Sequence, residues 1–106
     1  LLLAQAYQNL RQFDEAIVEY KKLNINRPKN KLIPFNLGLC LLNTGNNIDA
    51  IEAFKIAVQL DETFVDAWGN MGVTLKKEGR LQEAIDSTQK ALELDPKIPL
   101  STTPWA

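Results

Sequence analysis

The chain has 106 residues with 12 Lys and Arg against 13 Asp and Glu, enough for one hydrophobic core and too few for two ordinary domains. A formal charge of −1, with bases scattered among acids, supplies no field that would recruit nucleic acid or an anionic membrane, so no nucleic-acid partner is expected. With no His and a single Cys, the chain cannot assemble an internal disulfide, a His-containing metal site or a catalytic triad.

The chain opens LLLAQAY without a Met, so it is expected to be a piece of something longer. Leu1, Leu2 and Leu3 have no basic segment before them and form too short a run for a signal peptide. No stretch approaches the roughly 20 apolar residues that cross a bilayer, so membrane insertion is not expected. Instead the three leucines open the first copy of a repeat. Shifting the chain by 34 residues, with no insertion or deletion, aligns Leu3, Leu37 and Met71; Ala4, Gly38 and Gly72; Tyr7, Leu41 and Leu75. It also aligns Ala16, Ala50 and Ala84; Ile17, Ile51 and Ile85; and Leu23, Ala57 and Ala91. Small residues recur where two helix axes need to approach, with large apolar residues around them, so each unit is predicted to be a packed helix pair.

The first unit, 1–30, lacks the start of its first helix and closes near Pro28. In the second, 31–64, Pro34 looks like a breaker, but with Asn30 as cap it falls in the first helical turn, where its missing amide has no partner to lose. Leu37 and Leu41, then Ile48, Ile51 and Phe54, keep three-to-four spacing on either side of Gly45 and Asn46, which predicts two amphipathic helices around a tight turn. The third unit, 65–98, repeats this with Gly79 as its turn and Pro96 at its end. Glu15, Asp49 and Glu83 fall in the first turns of second helices, where the helix dipole favours an acid by about 0.3–1 kcal/mol. The last residues, 99–106, form a tail or the start of a further repeat. Trp105 and Ala106 follow Met71 and Gly72 by 34, while Pro99 and Pro104 oppose a long helix. Trp105 is therefore expected either to pack over the last helix pair or a neighbouring molecule, or to lie in a disordered tail.

The segment A-W-G-N-M-G-V-T-L from Ala67 to Leu75, followed by Gly79, Leu81, Ala84, Ala91 and Pro96, resembles a tetratricopeptide repeat, and the period of 34 is that family's. The third unit is similar to the repeats of O-linked N-acetylglucosamine transferases. Departures fall at Glu62, where the other units have Pro, at Thr88 in place of Tyr20 and Phe54, and at Asn47 in place of Phe13 and Leu81. The resemblance implies an all-α fold, a right-handed solenoid of antiparallel helix pairs, and a protein-interaction scaffold rather than an enzyme. Its concave groove would be lined by Gln5, Gln8 and Asn9 from unit one, by Leu32, Phe35, Asn36, Leu39, Leu42 and Asn43 from unit two, and by Asp66, Gly69, Asn70, Val73, Lys76 and Lys77 from unit three. Phe35 and its leucines would anchor a protein or peptide partner, and no cofactor is implied.

Asn36 and Asn70 occupy equivalent points, and a carboxamide can both donate to and accept from a peptide backbone. They are readable either as a peptide-binding ladder, interrupted by Leu2 in unit one, or as solvated or helix-bridging amides. Chaperone-tail adaptors of this family clamp a carboxylate with five residues. Asn36 matches one of them, while Leu1, Gln5, Asp66 and Asn70 replace the others, so that ligand is not expected. Cys40, aligned with Ala6 and Thr74, reads as a packed small residue. The run Lys76, Lys77, Glu78, Arg80 reads as a solvated helix end. Trp68 reads as core. Asp14 and Glu15 have no pocket that would tune them for acid-base work, and no Gly-rich phosphate loop is present. Two rival readings stand beside the scaffold: a substrate-recruiting region of a larger enzyme such as a glycosyltransferase, and self-association through exposed repeat ends.

Overall fold

A computed structural model describes residues 2–26 and 29–95; Leu1, Pro28, Pro96 and Trp105, singled out above, lie outside them. The described chain forms six helices: α1 (Leu2–Asn9), α2 (Phe13–Asn26), α3 (Leu32–Asn43), α4 (Asn47–Leu60), α5 (Val65–Lys77) and α6 (Leu81–Leu94). Each even-numbered helix packs on the helix before it, and α2 and α4 also pack on the helix after them. The result is an all-α solenoid of antiparallel helix pairs, with no strand among the described residues.

One backbone motif makes all three hairpins. After α3, the amide of Asn46 donates to Leu41 O at 2.8 Å and that of Gly45 to Leu42 O at 3.1 Å. After α5, Arg80 donates to Leu75 O at 2.9 Å and Gly79 to Lys76 O at 3.0 Å. After α1, Gln12 donates to Tyr7 O at 2.8 Å and Arg11 to Gln8 O at 3.0 Å. This pair of reversed bonds satisfies the last helical carbonyls and demands a left-handed residue just past the helix end. Gly45 and Gly79 supply it at φ 82° and 77°, whereas in the first hairpin Arg11 adopts φ 61° with a full side chain.

Within each pair the small residues set the spacing. A Cβ on Gly38 would lie 2.6 Å from Phe54 Cε1, and one on Gly72 would lie 2.6 Å from Thr88 Oγ1. Ala4, Ala16 and Ala50 are fully buried, and the core around them includes Tyr20, Ile33, Cys40, Ile51 and Phe54. Burying one such large apolar side chain is worth about 1.5–3 kcal/mol. Thr88, the short residue in the third unit, is buried beside Gly72, so its departure is accommodated within the core.

The other departures acquire polar roles. Asn47 Nδ2 donates to Glu78 Oε2 at 3.1 Å, joining the start of α4 to the end of α5. Glu62 follows Asp61, the extended residue that ends α4 at φ −147° and ψ 100°, and Asp95 ends α6 in the same way at φ −146° and ψ 91°, so the helix stops here without the proline. Asp61 Oδ1 accepts from the Thr63 amide at 3.0 Å and from Thr63 Oγ1 at 2.6 Å. Pro34 sits in the first turn of α3, and Asn30 Oδ1 accepts from the Leu32 amide at 3.0 Å. Trp68 is half-buried rather than a core residue: its ring packs on the core while Nε1 donates to Glu62 O at 2.9 Å, because an indole N–H needs a polar partner.

Candidate functional site

The same face is left over on α3 and α5. In α3 the buried residues are Ile33, Pro34, Leu37, Gly38, Cys40 and Leu41. At about 100° per residue, Leu32, Phe35, Asn36, Leu39, Leu42 and Asn43 fall opposite them. In α5 the buried set is Ala67, Met71, Gly72, Thr74 and Leu75, and the opposite stripe holds Asp66, Gly69, Asn70, Val73, Lys76 and Lys77. On α1, Gln5 and Asn9 are exposed while Ala4 is buried.

Exposure sorts these residues into two kinds. Leu32 and Val73 stand 46% and 49% exposed, and Asn43, Asp66, Lys76 and Lys77 are also exposed. Phe35, Asn36, Leu39, Leu42, Gly69 and Asn70 are half-buried. Phe35 is more than a free anchor. Its ring centroid lies 4.8 Å from that of Phe64 and 5.9 Å from that of Phe54, both tilted, so it ties α3 to α4 and to the entry of α5. Lys31 extends this cluster, with Nζ 4.9 Å over the Phe64 ring and an ion pair to Asp61. Sequence reasoning missed Lys31 and Phe64, which occur once each in their aligned positions and carry no periodic signal, and it missed Asp61, although Asp95 repeats it 34 residues later.

The amides differ in how far they are committed. Gln8 Oε1 accepts from the Tyr20 hydroxyl at 2.6 Å, which fixes Gln8 onto its own helix pair. Asn70 Nδ2 donates to Asp66 O and Asn43 Nδ2 to Leu39 O, each at 2.8 Å. Each of these asparagines keeps its side-chain oxygen outside that bond. Asn36 makes no side-chain hydrogen bond within the described residues.

Charge is segregated. Helices α1 and α3 contain no Asp, Glu, Lys or Arg at all, and on α5 such residues stand only near its ends, Asp66 in the first turn and Lys76 and Lys77 in the last. The even-numbered helices carry most of the rest, including the first-turn acids Asp14, Glu15, Asp49 and Glu83. Arg80 grips Glu83 through two bonds of 2.6 and 2.8 Å, which raises the guanidinium's pKa and lowers the carboxyl's.

Among the described residues, the shifted groups owe their shifts to burial or to structural partners. Burial pushes the Cys40 thiol up to about 11, away from the thiolate a nucleophile requires. Burial, with Cys40 nearby, pushes the Tyr20 phenol up to about 12. The hydrogen bond from Lys31, then those from Thr63, hold Asp61 down at about 2. Among the described residues no group of three His, Cys, Asp or Glu could hold a metal, and no helix is long and apolar enough to cross a membrane. A shallow depression of about 390 Å³ lies elsewhere, beside Gln89, Leu92 and Glu93 on α6.

Comparison with known proteins bears on this arrangement. Tetratricopeptide repeat family models match residues 1–63 and residues 65–98. The peroxisomal targeting signal receptor of Komagataella phaffii is 34% identical over 79 residues, 74% of this chain and 14% of that protein. The probable UDP-N-acetylglucosamine–peptide N-acetylglucosaminyltransferase SPINDLY of Arabidopsis thaliana is 33% identical over 84 residues, 79% of this chain and 9% of that protein. The chain thus spans a small part of the curated relatives it matches. Among solved structures, the first repeat domain of Spaghetti (RPAP3), bound to the HSP90 peptide SRMEEVD, superposes with a TM-score of 0.89 at 25% identity, covering 93% of this chain and 79% of that one.

Proposed function

Because the chain belongs to the tetratricopeptide repeat family, whose repeats are protein-interaction modules, we propose that it holds a peptide or an extended segment of a partner protein against its first helices and carries out no chemistry itself. In this reading the units are 1–30, 31–64 and 65–98, with 99–106 as a tail or the start of a further repeat. The observation that carries the proposal is the leftover stripe on α3 and α5, where Leu32 and Val73 stand in solvent beside amides with unused hydrogen-bonding capacity. Scattered surface leucines need no explanation, but apolar residues aligned on one face of successive units make a continuous contact surface.

Roles divide accordingly. Leu32, Leu39, Leu42 and Val73 supply apolar contact, Asn36, Asn43, Asn70, Gln5 and Asn9 meet the peptide backbone, and Lys76 and Lys77 favour a carboxylate at one end. Phe35 contributes ring surface from a fixed position. An acid-rich tail such as the HSP90 peptide held by the RPAP3 domain fits poorly across unit three, where exposed Asp66 would repel it. The likeness to SPINDLY favours one extension: in a parent enzyme of that kind, the same face would recruit the protein substrate.

The test uses peptides of about twelve residues selected from a random display library on the 106-residue chain, then titrated calorimetrically. Asn70→Ala and Val73→Asp should each weaken binding about tenfold, within the usual range for well-placed contacts, while far-ultraviolet circular dichroism stays unchanged. Equal affinity in wild type and both variants overturns the proposal.

A further inference from the structure

Gly69 has no explanation inside the chain. It lies in the interior of α5, where glycine is the least favourable residue after proline. The other two helical glycines are demanded by packing, since a Cβ would strike Phe54 at Gly38 and Thr88 at Gly72. Around Gly69 an added Cβ would meet nothing within 4 Å. One unit earlier the equivalent position carries Phe35, so the fold accepts a large side chain at this point of a first helix. Folding neither requires this glycine nor gains from it.

We infer that Gly69 serves a contact outside the chain, as a bare stretch of α5 backbone against which a bulky apolar side chain of the bound peptide lodges, between Asn70 and Val73. The inference rests on the binding face proposed above and names what that face accepts. Omitting a side chain from one position of a contact stripe leaves a hollow one residue deep, and an apolar knob gains dispersion contacts there that a flat surface does not offer.

Charge defines the rest of the occupant. With no Asp, Glu, Lys or Arg on α1 and α3, a charged segment laid across them would lose hydration without finding a partner. On α5 the charged residues are Asp66 at one end and Lys76 and Lys77 at the other. The occupant is therefore a peptide that is uncharged over the stretch facing α1 and α3, carries one large aliphatic or aromatic residue for the Gly69 hollow, and places any carboxylate beside Lys77.

The test compares Gly69→Ala and Gly69→Leu with wild type, using the library-selected peptides and the 106-residue chain. Both variants should melt at or above the wild-type temperature, since each replaces a helical glycine in open space. Affinity should fall several-fold for Gly69→Ala and about tenfold or more for Gly69→Leu. The selected peptides should share an uncharged stretch with a bulky apolar residue. Binding of Gly69→Leu within twofold of wild type, or selection of charge-rich peptides, overturns the inference. If Asn70→Ala and Val73→Asp weaken binding while Gly69→Leu does not, the face stands and the hollow falls. If no variant changes the affinity, both fall.

Discussion

The ring of Phe35 lies 4.8 Å from the ring of Phe64, a contact between residues 29 positions apart that fastens α3 to the residue capping the start of α5. Phe35→Ala should therefore lower stability as well as alter the exposed face. For a half-buried ring the loss is about 1–3 kcal/mol, below the 3–5 typical of full burial. Urea unfolding measures it. A variant as stable as wild type would mean that the aromatic cluster adds nothing to the join of α3 with α4 and the start of α5.

Gly38→Ala places a methyl 2.6 Å from the Phe54 ring. Since Phe54 is fully buried, the ring has little room to retreat, and overpacking should cost about 1–3 kcal/mol. The expected outcome is a lower urea midpoint with an unchanged m-value, the opposite of the stabilisation expected at Gly69.

Arg11 holds φ 61° where the other two hairpins use glycine. A left-handed L-residue costs roughly 1–2 kcal/mol. Arg11→Gly relieves that cost but gives up the guanidinium contact 5.6 Å over the Phe13 ring and adds freedom to the unfolded chain. A net gain of about 0.5 kcal/mol is expected. Gly45→Ala should lose about 1 kcal/mol by the same logic. Paired thermal melts read both, and loss of stability in Arg11→Gly would contradict the account.

Asp61 is held near a pKa of about 2 against an ordinary 3.8, first by the hydrogen bond from Lys31 and then by those from Thr63. A folded-state pKa below the unfolded one means that the ionised carboxylate favours the fold above about pH 4, and that this contribution disappears as pH falls toward 2. Asp61→Asn should flatten the stability profile across that interval and leave its neutral-to-alkaline limb unchanged. Denaturant midpoints measured from pH 5 to pH 2 provide the comparison, and parallel wild-type and variant curves would remove Asp61 from the acid response.

Cys40 is fully buried, and burial pushes its thiol up to about 11. Alkylation at neutral pH should track unfolding of the surrounding helices rather than free-thiol chemistry. Labelling rates followed across urea concentration should rise with the unfolded fraction. Rapid labelling of the native chain would show that α3 opens locally.

The repeating part of this molecule was readable in advance because its causes repeat. Ala16, Ala50 and Ala84 sit where helices touch, Gly45 and Gly79 sit where a left-handed turn is required, and each cause leaves the same residue type at the same spacing. Arg11 escaped this reading because an arginine does not announce a positive φ. The stripe from Leu32 to Asn43 and from Asp66 to Lys77 was implied by the resemblance to the repeat family, and α3 and α5 carry those residues opposite their buried positions.

Spacing of 34 and helical periodicity were sufficient for the helix pairs and for the turns at Gly45 and Gly79, because these follow from residues close in sequence. Tertiary packing decided that Phe35 is braced by Phe64 and Phe54, that Gln8 is engaged by Tyr20, and that Gly69 faces open space. Those outcomes depend on which side chains from distant positions arrive at one point, and residue types that occur only once in register leave no pattern from which the meeting could be inferred.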